Sequence, residues 1–559
     1  MSFDYDVCVI GSGAGGGPIA LELAKAGKSV LILEKGPWLT EKDFYKDELA
    51  CCRRSVYTPE LKDEKHVIEE QYNDGSWYGE STEESGWDFW NGNVVGGSSN
   101  FMSGFFYRLK PKDFRLHSEF GAIKGANVVD WPISYEELEP YYTKAESEIG
   151  ISGEVEQHKH QEPRSTKAFP YPPTIEHPIV KHIDKACNQL GLVSLKTPRA
   201  ILSKPDMGRK SCEYSGYCGS YGCSSGAKGS SRAALLNRAI KTGNCTILAN
   251  AKVVKIESDK KGNVSSIQYF DQNNIKKSVN AKITVVACQA IETSRLLLAS
   301  TGPMHPKGLG NNHDQLGKNL LFSAGGTGTG EFTYSKFDKL SADQLKVRGP
   351  FVNRGLQEWY FIDDKKMGGA IKGGTIDFLL RHPNAISKAM SLKRDEDDKL
   401  VWGKELKQKM KSTFESTQDL RFEVFNDWLP TDNCFVSLDN KVKDKWGSAV
   451  AKVRIGYHEH DLKVGEYLSQ KAVKVLKQMN ADNIRYNVSG SPPANLVAGG
   501  CRFGNDIKTS VLDKDCKVHD VENLYITDGS FMPTGGSVPY TWTIYANSFR
   551  VADIIKKRI

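Results

Sequence analysis

Near its start the chain reads YDVCVIGSGAGGGPIALELAKAGKSVLILEKG, Tyr5 to Gly36, and no other stretch restricts the fold so strongly. The apolar run Tyr5–Ile10 predicts a buried strand, the glycines a loop, Gly17 to about Ala26 a helix, and SVLILE a second strand. Together they make a βαβ unit whose strands are buried on both faces. Gly11, Gly13 and Gly16 set out G-x-G-x-x-G between strand and helix, and Glu34 ends the next strand, 23 residues after Gly11. The first glycine permits the tight turn, and the second lets a pyrophosphate approach backbone N–H groups at the helix N-terminus. The third lets helix and strand pack closely. Glu34 stands where a carboxylate accepts from a ribose 2′-hydroxyl. The pattern predicts a bound dinucleotide without separating NAD from FAD.

A single simple core does not accommodate 559 residues. A second α/β-like stretch runs from about Gly229 to Ser300: helix SSRAALLNRAIKTG, strands CTILAN, AKVVKIES and AKITVVA, and helix IETSRLLLAS. The chain closes with strand NLYITD and helix TWTIYANSFRVADIIKKRI. Residues 155–185, rich in His and Pro, read as a connection, and residues 320–490 as an aromatic, β-rich unit with helices. The expected fold is α/β, or α+β overall. A discontinuous Rossmann-like nucleotide-binding domain takes residues 1–150, 200–315 and 491–559, and a sheet-plus-helices substrate domain takes 151–199 and 316–490.

The net charge of +7 comes from 75 basic and 68 acidic residues spread along the chain, which excludes a nucleic-acid footprint. No apolar run approaches the roughly 18 residues of a membrane span, and the start MSFDYDVCVIG is not a secretion signal. The expectation is a cytoplasmic protein, or one exported only with a partner subunit. Twelve cysteines in so long a chain are too sparse for a disulfide scaffold.

Three segments separate the two dinucleotides: NVVGGSSNFMSGFFYR (Asn93 to Arg108), VVACQAIETSRLLLASTG (Val285 to Gly302) and NLYITDGSFMPTGGSVPYTWTIYANSFRVAD (Asn523 to Asp553). With DWPISYEELEPYY (Asp130 to Tyr142), they resemble in order and spacing the signatures of the glucose-methanol-choline (GMC) oxidoreductase family. Within it they most resemble the large subunits of gluconate, fructose and glucoside dehydrogenases; residues 320–490 match only loosely. The resemblance implies FAD with its ADP half on the first βαβ unit. Val95, Gly97, Ser98 and Asn100 would run past the pyrophosphate and isoalloxazine, Val254 would meet the adenine through its backbone, and Asp528 with Gly529 would hold the pyrophosphate–ribityl region. Phe101 occupies the place of a histidine that tethers FAD in some members, so non-covalent FAD is expected. Gln289 replaces a usual glycine, which leaves the local flavin contacts open.

The family's base, a histidine in H-x-x-G-T-x-R-M-G, aligns with Leu496 in LVAGGCRFG, where Gly500 and Phe503 replace threonine and methionine. Its second catalytic position, His or Asn, aligns with Pro539 in SVPYTWT. Leucine does not ionise and proline has no donor, so both positions are replaced. Asn495 could hydrogen-bond a hydroxyl without taking its proton, and Tyr540 could donate, or act as base with a strongly lowered pKa.

Cys212, Cys218 and Cys223 leave three readings open: iron–sulfur ligands as in some similar sugar dehydrogenases, a zinc site, or a structural glycine-rich loop with buried thiols, the reading favoured. His458 and His460 in GYHEHD read as neighbours on one face of a strand lacking a third metal ligand, and His519 as a turn histidine. No metal is assigned. The chain is expected to oxidise a CH–OH group, of a sugar or polyol, by hydride transfer to flavin N5. It would act as a dehydrogenase with an electron acceptor still to be identified and a small partner subunit. The rivals are a non-oxidative, lyase-like flavoprotein, which loss of the catalytic pair would permit, and a catalytically weak flavin subunit for electron relay or assembly.

Overall fold

The computed structural model describes residues 3–44, 48, 65–71, 74–380, 384–395, 397–493 and 495–559. Tyr5–Ile10 lies at the centre of a five-stranded sheet ordered Leu524–Ile526, Ala281–Val286, Tyr5–Ile10, Val30–Leu33, Cys245–Leu248, with every pair parallel. Parallel neighbours need crossovers rather than hairpins. Here the strands come from three distant stretches of chain. The helix Gly16–Lys25 follows the first strand, and Val7, Val9, Ile19, Leu23 and Ile32 are fully buried between the layers. The helix expected from Ser230 begins instead with a π turn, Ser231–Leu236, before its α segment Asn237–Lys241. That turn holds Ser231 against the glycine loop, its Oγ donating to the Ser12 carbonyl at 2.7 Å and its N–H to Ser99 Oγ at 2.9 Å.

An antiparallel sheet of six strands faces the parallel one. Its path is Arg354–Leu356, Gly374–Leu380, Thr417–Asp427, Gly326–Thr333, Asp482–Val488, and Ser323–Ala324 also pairs with Thr417–Asp427. Side chains alternate across the long strand. Leu420, Phe422 and Val424 are buried in one cluster with Val464, Leu468, Ala472 and Leu476 of the helix Glu459–Gln478. Arg421, Glu423 and Phe425 point the other way, into a large cavity. His458 and His460 are not on a strand, as the alternating pattern suggested. His458 caps that helix, its Nδ1 accepting from the His460 N–H at 3.1 Å, with Glu459 and Asp461 in the first turn. Acidic residues there favour a helix start through the helix dipole.

Candidate active site

A cavity of about 770 Å³ lies between the carboxyl ends of the parallel strands and the six-stranded sheet. The switch point of a parallel sheet is where α/β folds bind ligands. At the glycine loop Gly11 has φ +95°, and a Cβ on it would lie 2.3 Å from the Ala287 carbonyl oxygen. A Cβ on Gly16 would lie 2.1 Å from the Gly11 carbonyl oxygen, the close helix–strand approach expected of the third glycine. Gly13 instead faces open space. Among the described residues the N–H groups of Gly13 and Ala14, both lining the cavity, meet no acceptor. These free donors at a helix N-terminus fit a pyrophosphate.

Glu34 lines the same end. Its Oε2 accepts from the Ser12 N–H at 3.0 Å and Ser12 Oγ at 2.5 Å, and its Oε1 from the Gly36 N–H at 2.9 Å. Burial raises its pKa against these hydrogen bonds. A carboxylate has about four lone-pair sites, so capacity remains for a ribose hydroxyl. Ser12 Oγ also accepts from the Gly96 N–H at 2.8 Å, joining the first glycine loop to the second. Gly97 and Ser98 line the cavity, but Val95 and Asn100 do not. They brace the loop from behind, Asn100 Nδ2 donating to the carbonyls of Val95 and Gly97 at 3.0 Å each. Along the strand Lys252–Ser258 the lining residues are Lys252 and Val253, preceded by Ala251, and Val254 is not among them. Phe101 is fully buried away from it, edge-on to Phe44, and has no atom that could tether a flavin.

Asp528 and Gly529 line the cavity beside the glycine loop, a Cβ on Gly15 falling 2.8 Å from the Asp528 nitrogen. Asp528 Oδ1 accepts from the Ser530 N–H at 2.9 Å and Ser530 Oγ at 2.5 Å, and Oδ2 from Thr293 Oγ1 at 2.5 Å. The aspartate therefore shapes the turn it caps, and burial raises its pKa. Gln289 holds φ +77°, a glycine-like conformation, while its Oε1 caps the helix Ala290–Ala299 through the Ile291 N–H at 2.9 Å. That side chain is what replaces the usual glycine.

At the other end Asn495, Leu496, Val497, Pro539 and Tyr540 line the cavity beneath Arg421 and Glu423. Leu496 and Pro539, the two replaced positions, thus both line the cavity, and both are apolar. Gly500 and Phe503 lie deeper, Phe503 packing edge-on to Trp131 and Phe531. Tyr540 presents its ring only. Its hydroxyl donates to the Phe322 carbonyl, and burial, with Asp427 and Asp461 nearby, raises its pKa well above the ordinary value. A hydroxyl so committed does not take a proton from an alcohol, which corrects the expectation of Tyr540 as base. Arg421 and Glu423 form an ion pair at 3.2 Å, and burial raises the Glu423 pKa while Arg421 pulls it back. The lining residues that went unnoticed in the sequence include Arg421, Glu423 and, just before the strand Val67–Gln71, His66. No local motif marks them.

Cys212, Cys218 and Cys223 line a separate cavity of about 120 Å³ beside Arg199 and Lys228. Lys228 Nζ donates to the carbonyls of Asn100, Cys218 and Tyr221, tying the cysteine loop to the glycine-rich segment. Burial pushes the Cys223 thiol up, but Lys228 and hydrogen bonds outweigh it and leave a net lowering. Among the described residues no three or more His, Cys, Asp or Glu side chains are placed to hold a metal ion. His519 lies at a turn, its Nε2 2.9 Å from Ser510 Oγ. No helix among the described residues is long and apolar enough to cross a membrane.

Comparison with known proteins agrees with this geometry. GMC oxidoreductase family models match residues 72–322 and 430–548, and an FAD binding domain model matches residues 6–40. A 2-methyl-1,2-propanediol dehydrogenase of Mycolicibacterium austroafricanum is 30% identical over 99% of this chain and 95% of that protein. The fructose dehydrogenase large subunit of Gluconobacter japonicus is 26% identical over 98% and 97%. The crystal structure of pyridoxine 4-oxidase from Mesorbium loti superposes with a TM-score of 0.61 at 16% identity, covering 99% of each chain. With family models matching more than half of its length, a relative 30% identical over 99% of it, and a cavity lined by the glycine loop of the first βαβ unit, the chain belongs to the GMC oxidoreductase family and is an FAD-binding oxidoreductase.

Proposed function

We propose that this enzyme oxidises a CH–OH group of a polyhydroxylated alcohol, a sugar or polyol, as a dehydrogenase. FAD, when bound, supplies the hydride acceptor. The reading is carried by the wall facing the Leu496 loop, where the Arg421–Glu423 pair lines the cavity with Asn384, Ser387 and Lys388. A charged pair with neighbouring amide, hydroxyl and ammonium groups offers donors and acceptors to several hydroxyls at once, and leaving them unmet would disfavour a plain hydrocarbon chain. Asn495, on the opposite wall, is assigned to hydrogen-bond the reacting hydroxyl.

Anaerobic mixing with a panel of sugars, polyols and simple alcohols tests the reading. Bleaching of the flavin's visible band by polyhydroxylated donors is expected; bleaching by none of the CH–OH donors would return the non-oxidative alternative. Iron content and the visible spectrum decide the electron-relay reading of the cysteines. The division into an FAD-binding unit (residues 1–150, 200–315 and 491–559) and a substrate-binding unit (151–199 and 316–490) belongs to the same proposal, supported by the origins of the two sheets. So does a small partner subunit that takes the electrons and carries any export signal, motivated by similarity to a dehydrogenase large subunit. Co-purification from the native source tests that part.

A further inference from the structure

Lys372, which ends the strand Gly369–Lys372, serves two buried carboxylates at once. Its Nζ contacts Asp113 Oδ1 and lies 3.9 Å from Asp427 Oδ2. Asp113 is otherwise satisfied, Oδ2 accepting from the Tyr360 hydroxyl at 2.6 Å and from the Lys110 N–H at 2.7 Å. The Lys110 ammonium is taken by Glu162 at 3.3 Å. Lys372 and Asp427 also line a small cavity of about 40 Å³, with Asn426, His460 and Asp461 among apolar side chains, and it shares no lining residue with the flavin cavity.

Three of these side chains are unmet. Asn426, Asp427 and Asp461 are only 1%, 7% and 2% exposed, yet Asn426 Oδ1, both carboxylate oxygens of Asp427 and Asp461 Oδ1 have no hydrogen-bond partner among the described residues. Their other atoms are engaged. Asn426 Nδ2 donates to the carbonyls of Asp427 at 3.1 Å and Asp461 at 3.2 Å, and Asp461 Oδ2 accepts from the Leu429 N–H at 2.9 Å. These contacts hold the three side chains together while four acceptor oxygens lack a donor. Buried carboxylates persist where they are paired or hold a cation.

Counting donors and charges separates the possible occupants. Asp113, Asp427 and Asp461 set three carboxylates against the one ammonium of Lys372. Burial raises the Asp461 pKa well above the ordinary value, but a proton there supplies one donor and leaves three acceptors unmet. The cavity has room for water, which brings two donors and no charge. A cation answers the charge and the lone pairs together. All the unmet atoms are oxygens, the ligands of hard cations. The set is too small for a divalent or transition metal, since among the described residues no three His, Cys, Asp or Glu side chains are placed to hold a metal ion.

We propose that this cavity binds an alkali cation, Na⁺ or K⁺, held by Asp427, Asp461 and the Asn426 side-chain oxygen. Asp427 ends the strand Thr417–Asp427, whose Glu423 and Phe425 line the flavin cavity, and Asp461 stands in the first turn of the helix Glu459–Gln478. The bound ion therefore joins the end of that strand to the start of that helix, behind the wall over the flavin cavity. Its effect is read in stability and does not depend on which donor reduces the flavin.

The FAD-loaded protein, dialysed into choline chloride, is melted in choline, sodium, potassium and magnesium chloride at one ionic strength. Sodium or potassium is expected to raise the melting temperature by about 2–5 °C over choline, levelling off with concentration as one site fills. Asp427→Asn removes the charge and turns an amide N–H₂ toward the cavity, so it should melt at the same temperature in all four salts. Asp461→Asn keeps an oxygen for the Leu429 N–H and is read in the same way should the first variant not fold. Equal melting of the wild type in all four salts overturns the proposal and leaves the cavity to a proton or water. A rise with magnesium alone overturns the choice of a monovalent ion. A sodium or potassium effect that survives in the variant places the ion elsewhere and overturns the site.

Discussion

Asp377 sets up a pH-dependent test of how the wall over the flavin cavity is held. It lies on Gly374–Leu380 directly opposite Glu423, fully buried, with Oδ1 accepting from the Tyr107 hydroxyl at 2.7 Å and Thr197 Oγ1 at 3.0 Å. Burial raises its pKa from 3.8 to about 7; the hydrogen bonds from Tyr107 and Thr197 and the nearby Arg199 pull the other way, and Glu423 adds to the rise. Between those two values the folded protein keeps a proton that the unfolded chain has released, so stability falls as pH rises through the window and is level above about 7. A shift of about three units corresponds to ~4 kcal/mol. Asp377→Asn keeps the Oδ1 acceptor and cannot ionise. The two proteins should therefore be equally stable near pH 4, and the variant should gain about 1.4 kcal/mol per pH unit up to pH ~7. Thermal unfolding of the FAD-loaded proteins at a fixed flavin concentration, from about pH 5 to pH 8, reads the difference. Parallel profiles across that range would show that the carboxylate ionises in place and that the argument from burial is wrong.

Three further substitutions separate roles within the cavity. Tyr540→Phe should retain kcat within about threefold and lose about 1–2 kcal/mol of stability from the orphaned Phe322 carbonyl, whereas a loss of more than about 100-fold in kcat would restore the tyrosine as a proton carrier. Ser12→Ala removes the hydroxyl that links Glu34 to the Gly96 N–H, and reconstitution of the apoprotein should show FAD binding weakened about tenfold or more; unchanged affinity would mean that this link does not position the glycine loops. Glu423→Gln should raise KM for a polyhydroxylated donor by about 10- to 100-fold while leaving the activity toward a simple alcohol nearly unchanged, and equal effects on both would remove Glu423 from substrate recognition.

What the sequence made legible was local. Gly11, Gly13, Gly16 and Glu34 act through backbone that a few neighbouring residues determine, and the structure places them accordingly. The capping role of His458 was also within reach. Glu459 and Asp461 form an acidic first turn, and an apolar repeat follows through Val464, Leu468 and Ala472, a helix start that the H-x-H spacing hid. Val95 and Asn100 stand one layer behind the cavity lining, because a motif fixes a segment's place more firmly than the direction of each side chain. The Tyr540 hydroxyl depends on a contact made across 218 residues, with Phe322. Leu496 joins these two kinds of information. A bulky residue at φ +60° costs about 1–3 kcal/mol and persists only where its surroundings over-determine it. Here the pairing of Ala498–Gly499 with Leu320–Leu321 and the left-handed Gly499 and Gly500 hold the loop in that shape. The loop therefore holds the backbone that aims residue 496 at the cavity while presenting a leucine there, so the gap in the linear motif is a change of side chain on an intact backbone.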